Sequence, residues 1–240
     1  MRVYKHILLQ VLIVLAGVSS ILVLRSNVKD LGVLASGDET AIASVAAPLD
    51  YRPDKEASWI LSAETVRETY QRSLDMFGIQ GVVVLATSEG RNQYASGIAL
   101  SSVRIDRVLE GDPALQGRTI DLLCGSQARL SVYEAKDGQE ARLVFSGAQM
   151  NYLKKGHTYL MLLDALPMPG GAVTRYQIHG DSYYDLEDTE NRLVTDANCL
   201  YRDYAGNEVF AQDEEMLRAI MEQKQDMLSY YSVSETKPEG

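Results

Sequence analysis

The chain has 240 residues, with 23 basic and 33 acidic side chains and a formal net charge of −10. Four basic residues and no acidic residue precede Asp30, so the rest of the chain holds 19 basic and 33 acidic residues. This surplus of negative charge argues against nucleic acid as a partner and against binding to an anionic membrane surface.

The first predicted element is a transmembrane helix at residues 7–24. This stretch of 18 residues carries no charge, follows Arg2 and Lys5, and precedes Arg25. At about 1.5 Å of rise per residue, it just reaches across a hydrocarbon core of about 30 Å. Because no small-x-small cleavage pattern follows directly, the sequence favours an uncleaved signal anchor over a cleaved signal peptide.

The anchor places the two ends of the chain on opposite sides of a membrane. Large domains are exported largely regardless of the charges beside the anchor, so we expect a single-pass cell-membrane protein with an extracytoplasmic C-terminal domain. The predicted parts are a cytoplasmic N-terminus at 1–6, the anchor at 7–24, a flexible stalk at 25–57, a folded domain at 58–231 and a disordered tail at 232–240.

The folded domain begins with a predicted helix that starts after Ser62 and ends at Gly78. Serine is a favoured N-cap residue, and glycine is favoured just past the C-terminus of a helix. Apolar residues at helical spacing predict one buried face. Its members are Ala63, Val66, Tyr70, Leu74 and Phe77.

Strands are predicted from there to about residue 195, because short apolar or alternating runs are separated by turn residues. They are 81–85, 94–109, 119–123, 130–133, 141–145, 157–166, 173–178, 183–186 and 192–195, with a hairpin turn at 136–138. A second helix follows the acidic residues 213–215, and its methionine-rich face is interpreted as core rather than as an exposed interaction surface. The pattern predicts a mainly β, α+β fold, with a small antiparallel barrel or sandwich between flanking helices.

Four segments in a fixed order carry a resemblance to a known architecture: 81–87, 103–111, 117–122 and 153–163. The last of them reads Leu-Lys-Lys-Gly-His-Thr-Tyr-Leu-Met-Leu-Leu. Residues 79–195 resemble uncharacterised exported or membrane-anchored bacterial proteins with an OB-like β-barrel, the architecture of netrin-type and metalloproteinase-inhibitor domains. The resemblance implies an OB-like barrel behind the N-terminal anchor. It transfers no inhibitory residue, because those inhibitors act through an N-terminal cysteine and this chain has an anchor and a stalk there.

Two histidines are the candidates for catalysis. His157 opens an apolar strand, and His179 is followed two residues later by Asp181, whose carboxylate could orient the imidazole. For both histidines the sequence favours an ordinary strand position instead, since it contains no Gly-x-Ser-x-Gly, P-loop or His-Glu-x-x-His motif. No cofactor is predicted.

An acidic run raises a metal hypothesis, because calcium binds clustered carboxylates. Its members are Asp181, Asp185, Glu187 and Asp188. Their spacing does not match an EF-hand loop, which favours a solvated acidic loop. Cys124 and Cys199 have two alternatives, a disulfide bond in an oxidising compartment or two buried thiols.

The anchor, the stalk and the barrel pattern predict a membrane-tethered, non-enzymatic domain that binds a protein, peptide or envelope ligand. Its ligand surface is expected at an 86–96 loop and a 134–140 hairpin, because OB-like barrels bind across one sheet face and its loops. The alternative is an extracytoplasmic hydrolase or metal-dependent enzyme that uses His157, His179 and nearby carboxylates.

Overall fold

The computed structural model describes residues 49–52, 62–95, 98–124, 129–135, 138–167, 174–187, 189–195 and 199–234. The predicted cytoplasmic segment and anchor lie outside these ranges, as do most of the predicted stalk and residues 235–240 of the predicted tail. Within the described ranges, no helix is long and apolar enough to cross a membrane.

Ten strands and three helices make up the described part of the chain. The strands are β1 (Leu49–Arg52), β2 (Gln80–Ala95), β3 (Ile98–Glu110), β4 (Thr119–Cys124), β5 (Arg129–Ala135), β6 (Gly138–Ser146), β7 (Ala148–Met150), β8 (Thr158–Pro167), β9 (Thr174–Asp185) and β10 (Val209–Ala211). The helices are α1 (Ala63–Phe77), α2 (Tyr201–Tyr204) and α3 (Glu214–Tyr230), and a 3₁₀ turn occupies Pro113–Leu115. The prediction of a mainly β fold with flanking helices is confirmed.

Helix α1 has the bounds that its capping residues predict. The Ser62 side chain accepts a hydrogen bond from the Thr65 N–H, and Gly78 ends the helix at a φ of +60°, which glycine adopts without strain. Four of the five predicted face residues are buried, but Phe77 is 69% exposed. The prediction is wrong for Phe77, since the last turn of α1, residues 75–77, is exposed and the buried face ends at Leu74.

Five strands close into a barrel in the order β2-β3-β4-β9-β8. Four neighbouring pairs are antiparallel, and the fifth, β4 with β9, is parallel. The prediction of an antiparallel barrel is therefore wrong at this one pair. β8 is antiparallel to β2, and β9 is antiparallel to β8, so β9 runs in the same direction as β2 and β4.

Helices α1 and α3 cover one side of the barrel. Tyr70 of α1 packs with Val83 of β2, Leu162 of β8 and Met227 of α3 in one apolar cluster. Burial on both faces explains why β2 and β8 contain continuous apolar runs rather than alternating ones. Each large aliphatic side chain buried in this way stabilises the fold by about 1.5–3 kcal/mol. The methionine-rich face of α3 therefore contributes to the core.

Several predicted strand boundaries differ from the structure. Ala95 ends β2 and Ile98 begins β3, so the predicted strand 94–109 is divided and most of the predicted 86–96 loop is strand. The predicted strands 173–178 and 183–186 are one strand, β9, interrupted by a bulge. Residues 192–195 form no strand; the Asn207 side chain binds the N–H and the carbonyl of Arg192, and the Val194 N–H donates to the Ala211 carbonyl.

The remaining strands lie outside the barrel. β5 and β6 form the predicted hairpin, and β1 adds to β6 in parallel, so four residues of the predicted stalk are strand. β7 and β10 form a two-stranded antiparallel sheet. The Asn151 N–H donates to the Glu208 carbonyl beside this sheet, and the Leu186 N–H donates to the Thr158 carbonyl of β8, which joins segment 186–208, as far as the structure describes it, to the barrel.

Gly81 of β2 lies in close contact with α1. A Cβ atom at this position would collide with the hydroxyl of Tyr70 and with Cδ1 of Leu74. We expect Gly81→Ala to lower the free energy of unfolding by about 1–3 kcal/mol, the usual cost of overpacking, in a urea titration. Gly206→Ala is the matched control, since a Cβ there meets nothing within 4 Å. Equal losses in the two variants would contradict the close contact.

Candidate functional site

A continuous band of polar side chains crosses four barrel strands. Cross-strand neighbours place Thr158 of β8 beside Thr87 of β2, Thr87 beside Arg104 of β3, and Arg104 beside Thr119 of β4. Further polar side chains flank this row: Glu89 of β2, Ser102 and Asp106 of β3, and Asp121 of β4. These eight residues are called the polar face below.

Most of the polar face follows from the alternation of residues 103–106 along β3. Val103 and Ile105 are fully buried, so Arg104 between them lies on the opposite side of the strand. The same alternation holds in β4, where Leu122 is buried and Asp121 is exposed. One side of these strands therefore packs inside the barrel, while the other carries the polar face, which meets solvent except at the buried Ser102.

Hydrogen bonds fix the side chains of the polar face. The Asp106 carboxylate accepts the Thr87 hydroxyl at 2.5 Å and Nε of Arg104 at 3.0 Å. The Ser102 hydroxyl donates to Asp121 at 2.5 Å. Two further pairs are Thr119 with Glu89 at 2.9 Å and Thr87 with Thr158 at 3.0 Å. Side chains that are ordered before binding lose less conformational entropy when a ligand arrives.

The chemistry of the polar face is that of a hydrogen-bond acceptor. It carries three carboxylates and one guanidinium, so its charge is negative, like that of the whole chain. Each carboxylate oxygen has two lone pairs, and each hydroxyl can both donate and accept. The face can therefore bind a ligand that is rich in hydrogen-bond donors.

His157 and Asp185 form a histidine–carboxylate pair at one end of the barrel. His157 directly precedes β8 and Asp185 ends β9, and Nδ1 of the imidazole lies 2.9 Å from Oδ2 of the carboxylate. The His157 side chain is 31% exposed, whereas that of Asp185 is 1% exposed. Nζ of Lys154 lies 4.0 Å from the same carboxylate oxygen. The buried carboxylate orients the imidazole, and Nε2 is not part of this contact.

A second buried carboxylate, Glu208, lies next to Asp185. Its Oε1 accepts the Asp185 N–H at 2.8 Å, and its Oε2 accepts the Lys224 ammonium of α3 at 2.8 Å. Both side chains of this ion pair are almost completely buried. Burial raises the pKa of Glu208, and the charge of Lys224 opposes that rise. The pair therefore connects α3 to the end of β9.

Three asparagine side chains bind backbone groups in and beside the described part of segment 186–208. Asn151 is buried and has four hydrogen-bond partners: the carbonyls of Ala205 and Asn207, the N–H of Tyr152 and the hydroxyl of Tyr201. Oδ1 of Asn191 accepts the N–H groups of Glu208 and Val209. Nδ2 of Asn207 donates to the carbonyl of Arg192 at 2.6 Å. These amides satisfy backbone groups that have no strand partner.

His179 and Asp164 form a second histidine–carboxylate pair. Nδ1 of His179 lies 3.0 and 3.1 Å from the two carboxylate oxygens of Asp164. The ring of Tyr70 meets the imidazole edge-on, with 4.9 Å between centroids. The sequence suggested Asp181 as the partner, but the structure supplies Asp164 from the neighbouring strand. His179 lies in the bulge of β9, and bulges redirect side chains in this way.

The two histidines belong to separate places on the barrel. Asp185 pairs with Tyr159 on β8, and Asp164 lies five positions farther along the same strand, which is about 17 Å at 3.3 Å per residue. The single site that combines both histidines, as the sequence suggested, is therefore not formed.

The acidic run does not form a common cluster in the described residues. Asp185 is buried, and Oδ1 of its carboxylate accepts the Glu187 N–H at 3.0 Å. Asp181 lies in the bulge, and Asp188 is outside the described residues. Within the described ranges, no group of three or more His, Cys, Asp or Glu residues is placed to hold a metal ion. The structure adds no support to the metal hypothesis at these positions.

Cys124 and Cys199 are both buried, and no disulfide bond joins them in the structure. Cys124 ends β4, and Cys199 lies in the segment held by the asparagines. Burial raises the pKa of the Cys124 thiol to about 12, so the thiol stays protonated and unreactive while it is covered.

Each carboxylate should control the tautomer of its own histidine only. An ionised Asp185 accepts a proton from Nδ1 of His157, so we expect the Nδ1–H tautomer at neutral pH. Asp185→Asn should give a mixture of the two imidazole tautomers at His157 and leave the tautomer of His179 unchanged. Asp164→Asn should give such a mixture at His179 and leave His157 unchanged. Nitrogen-detected NMR of the imidazoles measures this, and a change at both histidines in either variant would contradict two separate pairs.

Comparison with known proteins gives no family, since no family model and no curated protein matches the chain. The polar face and the two histidine–carboxylate pairs are therefore the features that bear on function.

Proposed function

We propose that the chain is a membrane-tethered binding domain that acts outside the cytoplasm and binds its ligand through the polar face. One observation carries the proposal: each of eight polar side chains on four adjacent strands has a hydrogen bond of 2.5–3.0 Å to another of the eight. A surface ordered in advance binds a polar ligand at a lower entropic cost than a mobile one.

The order of the barrel strands supports an OB-like relationship. β2, β3 and β4 are successive neighbours, β9 follows β4, and β8 returns to β2. A five-stranded Greek-key barrel has this kind of order, and OB-folds bind ligands across their second and third strands. The polar face includes β3 and β4, which are the second and third strands of this barrel. The relationship to exported bacterial proteins with such barrels is part of the proposal.

The proposed ligand is a protein, a peptide or an envelope component rich in hydrogen-bond donors. The three carboxylates of the polar face disfavour phosphate-rich polymers, which bind to clustered cations. The predicted anchor at 7–24 would hold the barrel near the membrane, and the stalk would set its reach.

A cross-linking experiment on the full-length protein in its native membrane tests the proposal. The wild type, purified through a C-terminal tag, is expected to retain a stoichiometric partner. A face variant, Asp106→Asn with Asp121→Asn, should retain much less of it, because two acceptor carboxylates are lost. The matched control removes two exposed carboxylates elsewhere, Asp203→Asn with Glu222→Gln. Equal retention by the face and control variants would reject the polar face as the binding surface.

A second candidate function is proton transfer, which the two histidine–carboxylate pairs favour. A buried carboxylate that orients a partly exposed imidazole is the arrangement of a general base. His157→Gln and His179→Gln, made separately, would test it. A normal phenotype in both variants, together with a defect in the face variant, would reject this function in favour of binding.

A further inference from the structure

We infer that the barrel contains a seam, between β4 and β9, that opens locally while the rest of the fold stays intact. Among the described residues, these two strands share two registered pairs, Leu122 with Tyr176 and Leu123 with Gln177. The other four neighbouring pairs of barrel strands share between six and ten. The seam is therefore the shortest ladder of the barrel.

The direction of the strands weakens the seam further. β4 and β9 form the parallel pair of the barrel, and parallel pairing is slightly less stable per residue than antiparallel pairing. Local opening costs least where the fewest backbone hydrogen bonds and apolar contacts are released. When the seam opens, β4 keeps its six pairs with β3 and β9 keeps its pairs with β8.

The bulge of β9 limits the length of the seam. It begins directly after Ile178, and the register between β8 and β9 shifts across it. Gly180 within the bulge has a φ of +56°, outside the extended region that strand pairing needs. The regular ladder of β9 with β4 is therefore confined to the few residues before the bulge.

Opening of the seam would expose Cys124, which makes the event measurable. Cys124 lies on the buried side of β4, immediately beyond the two registered pairs, and is 3% exposed. Cys199 is also buried, but it lies in segment 186–208 and not on either strand of the seam. An open seam also presents two strand edges, whose backbone groups can pair with another strand.

The test is the rate at which a thiol reagent labels each cysteine in the native full-length protein. Mass spectrometry of peptides would separate the two sites. We expect Cys124 to react about tenfold or more faster than Cys199, with little dependence on urea below the unfolding transition, as local opening requires. Labelling of Cys124 that matches Cys199 in rate and in urea dependence would overturn the inference, because both would then report global unfolding.

Two engineered disulfide bonds locate the opening. Leu123→Cys with Gln177→Cys joins registered residues across the seam and should slow labelling of Cys124 to the rate of Cys199. Thr87→Cys with Thr158→Cys joins registered residues of β2 and β8 and should leave the labelling of Cys124 fast. Equal slowing by both disulfides would show that the opening lies elsewhere. The wild-type rates decide the inference if either variant fails to fold.

Discussion

Replacing Lys224 with methionine is expected to lower the free energy of unfolding by about 3–5 kcal/mol, because Glu208 then stays buried without its cation. Methionine keeps most of the apolar length of lysine, so the loss reports the ion pair and not a cavity. Urea unfolding near neutral pH measures it.

Acid should reduce this loss. Burial raises the pKa of Glu208 above its ordinary value of 4.5, and removal of the lysine raises it further. The folded variant therefore binds a proton at Glu208 more readily than the unfolded chain does. Its free energy of unfolding accordingly falls as the pH rises from the ordinary value of 4.5 through the raised pKa of the folded state. The free energy of unfolding of Lys224→Met should accordingly be closer to that of the wild type at about pH 5 than at about pH 8.

Two further variants show whether the effect belongs to the pair. Arg218→Met removes an exposed cation of the same helix and should change stability by less than about 0.5 kcal/mol. Glu208→Gln combined with Lys224→Met removes both charges and should recover much of the loss. If Lys224→Met costs no more than Arg218→Met, the buried ion pair does not stabilise the junction of α3 and β9.

Asn151→Leu is expected to cost about 3 kcal/mol or more, because a buried group left without its hydrogen bond costs about 1–3 kcal/mol. The substitution leaves four such groups: the carbonyls of Ala205 and Asn207, the N–H of Tyr152 and the hydroxyl of Tyr201. Leucine has the same number and branching of side-chain heavy atoms as asparagine, so the substitution removes the hydrogen bonds without opening a cavity. The free energy of unfolding in urea measures it.

Gln149→Leu is the matched control, two residues away on β7. Oε1 of Gln149 is buried and has no hydrogen-bond partner within the part of the chain that the structure describes. Its replacement removes an unsatisfied acceptor, so we expect no loss of stability or a small gain. A loss at Gln149 as large as that at Asn151 would contradict the role assigned to the asparagine network.

Local sequence signals predicted the elements that depend on local physics. Ser62 and Gly78 fixed the bounds of α1 because capping and positive φ are properties of single residues. The hairpin of β5 and β6 was predicted for a similar reason, since turn residues separate two apolar runs. The register shift within β9 was not predicted, because it arises from pairing with β8, a strand distant in sequence.

The candidate site likewise has one part that local sequence predicts and another part that depends on contacts between distant strands. Ser102, Val103, Arg104, Ile105 and Asp106 alternate strictly between polar and apolar residues, so the sequence alone could have indicated an outward polar edge on β3. Which strands continue that edge depends on the closure of the barrel and could not be predicted. The contact of His179 with Asp164 was not predicted for this reason, because Asp164 is close in space but distant in the chain.

Buried charges are the least predictable feature of the chain. Lys224 recurs with the apolar residues of α3 at helical spacing, and a lysine at such a position ordinarily extends its ammonium group to solvent. Nothing near it in the sequence indicates that Glu208 of the preceding turn is buried and pairs with it. Asn151, Asn191 and Asn207 likewise resemble ordinary loop residues until the backbone groups they satisfy are known.

Site-specific photo-cross-linking in the native membrane tests the central claim most directly. A photoreactive residue replaces Asp121 on the polar face in one protein and exposed Arg218 on α3 in another. The account predicts that a defined partner is captured from position 121 and not from position 218. Capture from position 218 alone, or equal capture from both, would contradict binding through the polar face.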